Sequence, residues 1–303
     1  MQVYDSVSEI IGKTPLVRLK GFGENLYGKC EFLNPSHSIK DRAAYAMIKK
    51  ALDEAHISKE TTIIECTSGN MGISLAMICA TLGLKIILTM PESMSIERRK
   101  MMALFGAKLE PTPASEGMKG AYERALALHK EIKNSFIPSQ FENLANKFAH
   151  RENTAVEILN DLGGKIDYFV AGFGTSGTIS GVGEVLKEKF ADKVKIIAVE
   201  PAASPLLSEG KAGGHKIQGI GANFIPKILN QSVIDEIQTI SNEDAIATAR
   251  ELALKNGLMV GISSGANVFI ASKIAKANPD KIIVTMLNDT AERYLSTDLF
   301  AGI

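Results

Sequence analysis

Residues 62–91 read TIIECTSGNMGISLAMICATLGLKIILTMP. Two short apolar runs, TIIECTS (62–68) and KIILTMP (85–91), flank the longer stretch NMGISLAMICATLG (70–83). The outer runs are too short for helices and rich in isoleucine, as strands buried on both faces are. The middle stretch has helical length and ends on a glycine. A strand, a helix and a second strand in such quick succession form a parallel βαβ unit. The series extends outward through SIERRKMMALFG as helix, AKLEPTP as strand and EGMKGAYERALALHKEI as helix. It resumes beyond residue 165 with DYFVAGF, a helix from Thr178 to Lys189, KIIAVEP, the helix NEDAIATARELALKNG and the strand KIIVTML. The chain is therefore expected to be α/β, with two domains that each carry a mostly parallel sheet flanked by helices.

Lysine plus arginine and aspartate plus glutamate number 34 each, so no basic excess favours nucleic acid or an anionic membrane. No apolar run approaches the length of a membrane span, and the start MQVYDSVSEIIG lacks the pattern of a secretory leader. Cys30, Cys66 and Cys79 are odd in number and have no nearby histidines, which argues against disulfides and a metal site. A cytoplasmic protein is expected.

Four loops that lead into helices and one long loop carry the polar residues. In NPSHSIKDR (34–42), Lys40 follows a proline turn and precedes a helical run. In CTSGNMG (66–72), hydroxyls and N–H groups at a helix start suit a carboxylate. In GFGTSGT (172–178), Gly174, Thr175, Ser176, Gly177 and Thr178 suit a terminal phosphate, with a plain turn and cap as the alternative. The same loop contains G-x-G-x-x-G, but no acidic residue follows at the distance a dinucleotide site needs. GISSGANV places Ser263 and Ser264 before a helix expected from about Ala266, where a double serine cap is the simpler reading. A long irregular stretch between VEP and SNED contains HKIQGIGANFIP, and such loops are more often functional than filler.

Taken together, IGKTPLVRL, NPSHSIKDR, TSGNMG, TMPESMSIERR, QFEN, GTSGT, HKIQGIGANFIP, GISSGANV and ERYLSTDLF stand in the order found in cysteine synthases. The chain resembles the O-acetylserine sulfhydrylases, pyridoxal-phosphate enzymes of the tryptophan synthase β type, from about residue 8 to residue 300. The resemblance implies a fold type II enzyme. Its smaller domain would span 36–144, with the carboxylate-binding loop. The larger would combine 1–35 and 145–303, with the phosphate-binding loop. It implies that Lys40 carries pyridoxal 5'-phosphate, that Asn70 bonds the cofactor's 3-oxygen, that Gly174 to Thr178 cradle its phosphate, and that Ser263 meets the pyridine nitrogen. Thr67, Ser68, Asn70, Met71 and Gln140 would hold the substrate carboxylate, and Gly219 would face the incoming amino acid.

The implied reaction converts O-acetylserine and sulfide to cysteine and acetate. A cystathionine β-synthase-type or O-phosphoserine-using activity is the alternative. A nicotinamide oxidoreductase and an idle binding scaffold are rivals from other classes. A homodimer is implied, as is docking of the C-terminal tail of serine acetyltransferase. Met71 stands where a threonine is usual and is expected to remove a hydroxyl from the carboxylate loop. Ser176 stands where glycine is usual, a mild change if its φ is negative.

Overall fold

A computed structural model describes residues 3–67 and 69–303. The chain divides into two compact units, one of Met1–Ile11 with Asn34–Asn146 and one of Gly12–Leu33 with Lys147–Ile303. The expected division placed the whole N-terminal segment with the second unit. The structure instead groups the residues before Gly12 with the first, and Ile11 packs against that unit's apolar core.

In chain order the elements open with β1 (Leu16–Arg18) and β2 (Leu26–Cys30), both in the second unit. The first unit then contributes α1 (Lys40–Asp53), β3 (Thr62–Cys66), α2 (Asn70–Leu82), β4 (Lys85–Pro91) and α3 (Ile96–Leu104). It continues with β5 (Lys108–Thr112), α4 (Gly117–Glu131), β6 (Ser135–Phe136) and α5 (Leu144–Ala149), the last crossing the division. The second unit adds α6 (Ala155–Asp161), β7 (Tyr168–Gly172), α7 (Gly177–Phe190), β8 (Lys195–Pro201) and α8 (Leu206–Glu209). It closes with β9 (Glu236–Ile240), α9 (Asn242–Asn256), α10 (Ile262–Ala277) and β10 (Ile283–Leu287).

The first unit's sheet has the order β5-β4-β3-β6, with every pairing parallel. Its central strands β3 and β4 are covered on both faces, which is why they read as unbroken apolar runs. Ile63 faces the core shared with α1 and α2, while its neighbour Ile64 joins Ala125 and Leu128 of α4 on the other side. The second unit's sheet has the order β1-β2-β10-β7-β8-β9, parallel except for the antiparallel β1–β2 edge. Short β1, β6 and β9 are the strands that apolar patterning missed. Among the described residues no helix is long and apolar enough to cross a membrane, and no cluster of metal-ligating side chains occurs.

Candidate active site

Lys40 is half-buried and is the first residue of α1. The turn before it is held by one carboxylate. Asp41, fully buried, accepts the Ser36 backbone N–H at 2.7 Å, the Ser36 hydroxyl, and the Ser74 hydroxyl of α2 at 2.5 Å. Ser38 Oγ accepts the Lys40 N–H at 3.2 Å, and His37 takes φ +62° to complete the turn. The sequence Ser-x-Ser-x-Lys-Asp thus uses its own polar side chains in place of strand partners, which fixes the point from which the lysine departs.

The carboxylate loop lies between β3 and α2 in the same unit. Thr67 is buried, its N–H donates to Thr89 O at 3.1 Å, and its Oγ1 accepts the Gly69 N–H at 3.3 Å. Gly69 is the N-cap of α2, so Asn70 and Met71 open the helix with N–H groups that have no helical acceptor. Ser68 lies outside the described residues. Gln140 is buried in the loop after β6. Met71 departs from expectation. It is 2% exposed and belongs to the unit's apolar core, so its thioether packs inward and only its backbone faces the loop's role.

In the second unit the phosphate loop joins β7 to α7. Ser176 is the N-cap of α7 at φ +72°, not the negative angle that would have made it a mild replacement. It makes no side-chain cap bond, and its buried Oγ has no protein partner. Ser176 thus occupies the cap position without capping the helix through its side chain. A buried hydroxyl at a helix start, aligned with the N–H groups of Gly177 and Thr178, is a donor set for an anion. A Cβ on Gly174 would lie 2.3 Å from Gly219 O, so the phosphate loop and the GIG loop meet backbone to backbone. The Gly221 N–H donates to Phe173 O at 2.8 Å, reinforcing that contact. Thr178 Oγ1 is 3.3 Å from Nε2 of buried His150.

Ser263 also differs from expectation. Helix α10 begins at Ile262 with Gly261 as its cap, so Ser263 and Ser264 lie inside the first turn and neither caps it. Asn288 occupies both, its Nδ2 donating to Ser263 Oγ at 3.0 Å and its N–H to Ser264 Oγ at 2.8 Å. One turn on, buried Asn267 accepts the Gly172 N–H at 2.8 Å and donates to Met286 O at 3.0 Å, which ties α10 to the ends of β7 and β10. A Cβ on Gly219 would lie 3.7 Å from Ser263 Oγ, so Gly174, Gly219 and Ser263 are brought together.

Residues 7–289 match the family model described as pyridoxal-phosphate dependent enzyme. The chain belongs to that family. Cysteine synthase B of Campylobacter jejuni is 70% identical over 301 residues, covering 99% of this chain and 100% of that one. The crystal structure of a cysteine synthase from Entamoeba histolytica superimposes with a TM-score of 0.95 at 41% identity, covering 99% of this chain and 91% of that one. That of an O-ureido-L-serine synthase gives a TM-score of 0.96 at 41% identity, over 100% and 96% of the two chains.

The residues present fit pyridoxal phosphate. The orphaned Ser176 hydroxyl and the α7 start supply phosphate donors. Ser263 supplies a neutral partner for a ring nitrogen, its oxygen already satisfied by Asn288. The cysteines are unsuited to nucleophilic roles, since burial pushes their thiols up, Cys30 to about 11 and Cys66 and Cys79 to about 12. Sequence reasoning missed Asp41, Asn267 and Asn288, which act on the site through other residues. The only local signal was a polar side chain inside or just after an apolar run.

Proposed function

We propose that the chain is a cysteine synthase that replaces the acetoxy group of O-acetylserine with sulfide. What carries this reading is full-length similarity to proteins of that name. It is supported by a lysine, a carboxylate loop and a phosphate loop of the right chemistry. Pyridoxal phosphate supplies a conjugated ring that takes up the electron pair left when a proton departs from Cα of the amino acid.

Lys40 Nζ would hold the cofactor, and as a free amine it would take the proton from Cα and later return it. Thr67, Ser68, Asn70 and Gln140 hold the substrate carboxylate, which orients the Cα–H bond toward that amine. From Met71 only the backbone N–H contributes. Asn70 also bonds the cofactor's 3-oxygen, and Gly174 to Thr178 hold the phosphate. Ser263 would meet the ring nitrogen as a neutral partner, one that does not hold a proton there as a carboxylate would. Gly219 borders the amino acid, where a side chain would crowd it. The enzyme is placed in the cytoplasm as a homodimer, with the serine acetyltransferase tail as a partner.

Product analysis tests the reading. O-acetylserine, O-phosphoserine and serine are each supplied with sulfide or homocysteine, and Lys40→Ala serves as the control. Cysteine from O-acetylserine and sulfide is expected to form at least about tenfold faster than any other product, and the control to form none. Faster cystathionine formation would overturn the choice of acceptor. Turnover by Lys40→Ala within tenfold of the parent would overturn the role of the lysine.

A further inference from the structure

The β3–β6 ladder is short, pairing only Thr62 with Ser135 and Ile63 with Phe136. Just beyond β6 stands Pro138, which has no N–H with which to continue the ladder. Glu65 of β3 takes over with its side chain. Its Oε2 accepts the Ser139 N–H at 3.0 Å, and the backbone N–H groups of Gln140 and Cys66 lie near enough to favour its charged form. Glu65 is 5% exposed. Burial pushes its carboxyl up to about 8, while the three N–H groups pull it the other way.

A carboxyl in that position is costly. An apolar side chain would suit a strand whose neighbours Ile63 and Ile64 are both buried in apolar clusters. What the carboxyl achieves is local. Ser139 lies at φ +55°, a turn that serine enters reluctantly, and Glu65 holds that turn from its N–H side. On the other side, Asn146 Nδ2 donates to Gln140 O at 2.9 Å. The chain is thereby tied at the residue before Gln140 and at the Gln140 carbonyl, which restricts the backbone from which its side chain departs.

We infer that Glu65 is a positioning residue for capture of the amino-acid donor, acting through Gln140 by fixing the backbone from which its amide reaches the substrate carboxylate. The inference rests on the reading of Gln140 given above. Glu65 also links the two segments proposed to hold the carboxylate, since one residue separates it from Thr67 and a hydrogen bond joins it to Ser139.

The test compares Glu65→Gln, Glu65→Ala, Gln140→Ala and the double variant Glu65→Gln/Gln140→Ala as holoenzymes. KM and kcat are measured for O-acetylserine and sulfide, together with melting temperature and cofactor absorbance. The expected result is a KM for O-acetylserine raised about tenfold in both Glu65 variants, with kcat within about threefold and cofactor absorbance unchanged. In the double variant KM should lie within about twofold of Gln140→Ala alone, because a residue that acts through Gln140 has nothing left to position. Should Glu65→Ala fail to fold, the near-isosteric Glu65→Gln decides. If Gln140→Ala raises KM while Glu65→Gln leaves it unchanged, or if the two effects multiply, the inference is overturned. If Gln140→Ala itself leaves KM unchanged, the reading of Gln140 falls and the role of Glu65 falls with it.

Discussion

Around Lys40 and Gln140, in the first unit, the loops are tied down by buried carboxylates: Asp41 gathers Ser36 and Ser74, and Glu65 takes the Ser139 N–H. Around Gly174, Gly219 and Ser263, in the second, the ties are glycine-permitted backbone contacts and carboxamides. Gly174 meets Gly219 O with no room for a Cβ, Asn267 and Asn288 tie α10 to the strand ends, and the buried acid beside them, Asp289, takes the Tyr294 hydroxyl. On the reading proposed above, the loop that launches the lysine and receives the substrate is held by side-chain bonds, whereas the loop that would cradle the phosphate is held by backbone geometry that does not titrate.

The comparison breaks most severely at Asp41. In Asp41→Asn an amide group faces donors that need acceptors, so stability should fall by about 3 kcal/mol and kcat by more than about tenfold, as checked by denaturant melts and turnover. A stable, active variant would show that the carboxylate tie is dispensable.

The second prediction concerns pH. The Glu65 carboxyl sits at about 8 in the folded chain against an ordinary value of 4.5, so folding takes up a proton between these values. Stability from this group is therefore highest below about 4.5 and falls as pH rises toward about 8, by a total on the order of a few kcal/mol. Unfolding free energies measured from pH 5.5 to 8 should fall less steeply for Glu65→Gln than for the parent. An unchanged slope would mean that Glu65 is charged throughout.

Met71→Thr sharpens the same contrast, because the sequence comparison with other cysteine synthases predicts better donor capture, whereas burial predicts damage to the core. A hydroxyl and a lost thioether at a 2% exposed site should cost about 2 kcal/mol, with KM for O-acetylserine within about threefold. A marked fall in KM without loss of stability would restore the side chain to the carboxylate loop.

The smallest effect on stability is expected in the second unit. Ser176→Gly relieves a left-handed serine at φ +72°, but glycine loses more entropy on folding, so the apoprotein should change by less than about 1 kcal/mol. Cofactor affinity should fall by about tenfold or more if the orphaned hydroxyl serves the phosphate. Affinity equal to the parent would remove that hydroxyl from the cradle.

These contrasts also mark what the sequence could reveal. The sheets were legible because strands buried on both faces leave unbroken apolar runs, as in KIILTMP and KIIAVEP, and the ligand loops because hydroxyls and glycines cluster at strand-to-helix joints. The direction of a side chain was not legible. Met71 sits next to Asn70 in sequence but belongs to the core, since adjacent residues on a helix point about 100° apart. The start of α10 was misplaced because Ser263 and Ser264 suit a cap as well as a first turn, and only the distant Asn288 settles which. Residues 7–11 were assigned to the wrong unit because a terminal segment carries no periodicity that names its packing partner.

Everything proposed for the reaction depends on Lys40 carrying the cofactor. Borohydride reduction of the holoenzyme, followed by proteolysis and mass spectrometry, locates the attachment directly. The pyridoxyl mass is predicted on the peptide containing Lys40 and on no other, with loss of the visible absorbance of the protein. Label on a different lysine, or none on a protein that loses its colour, would contradict it.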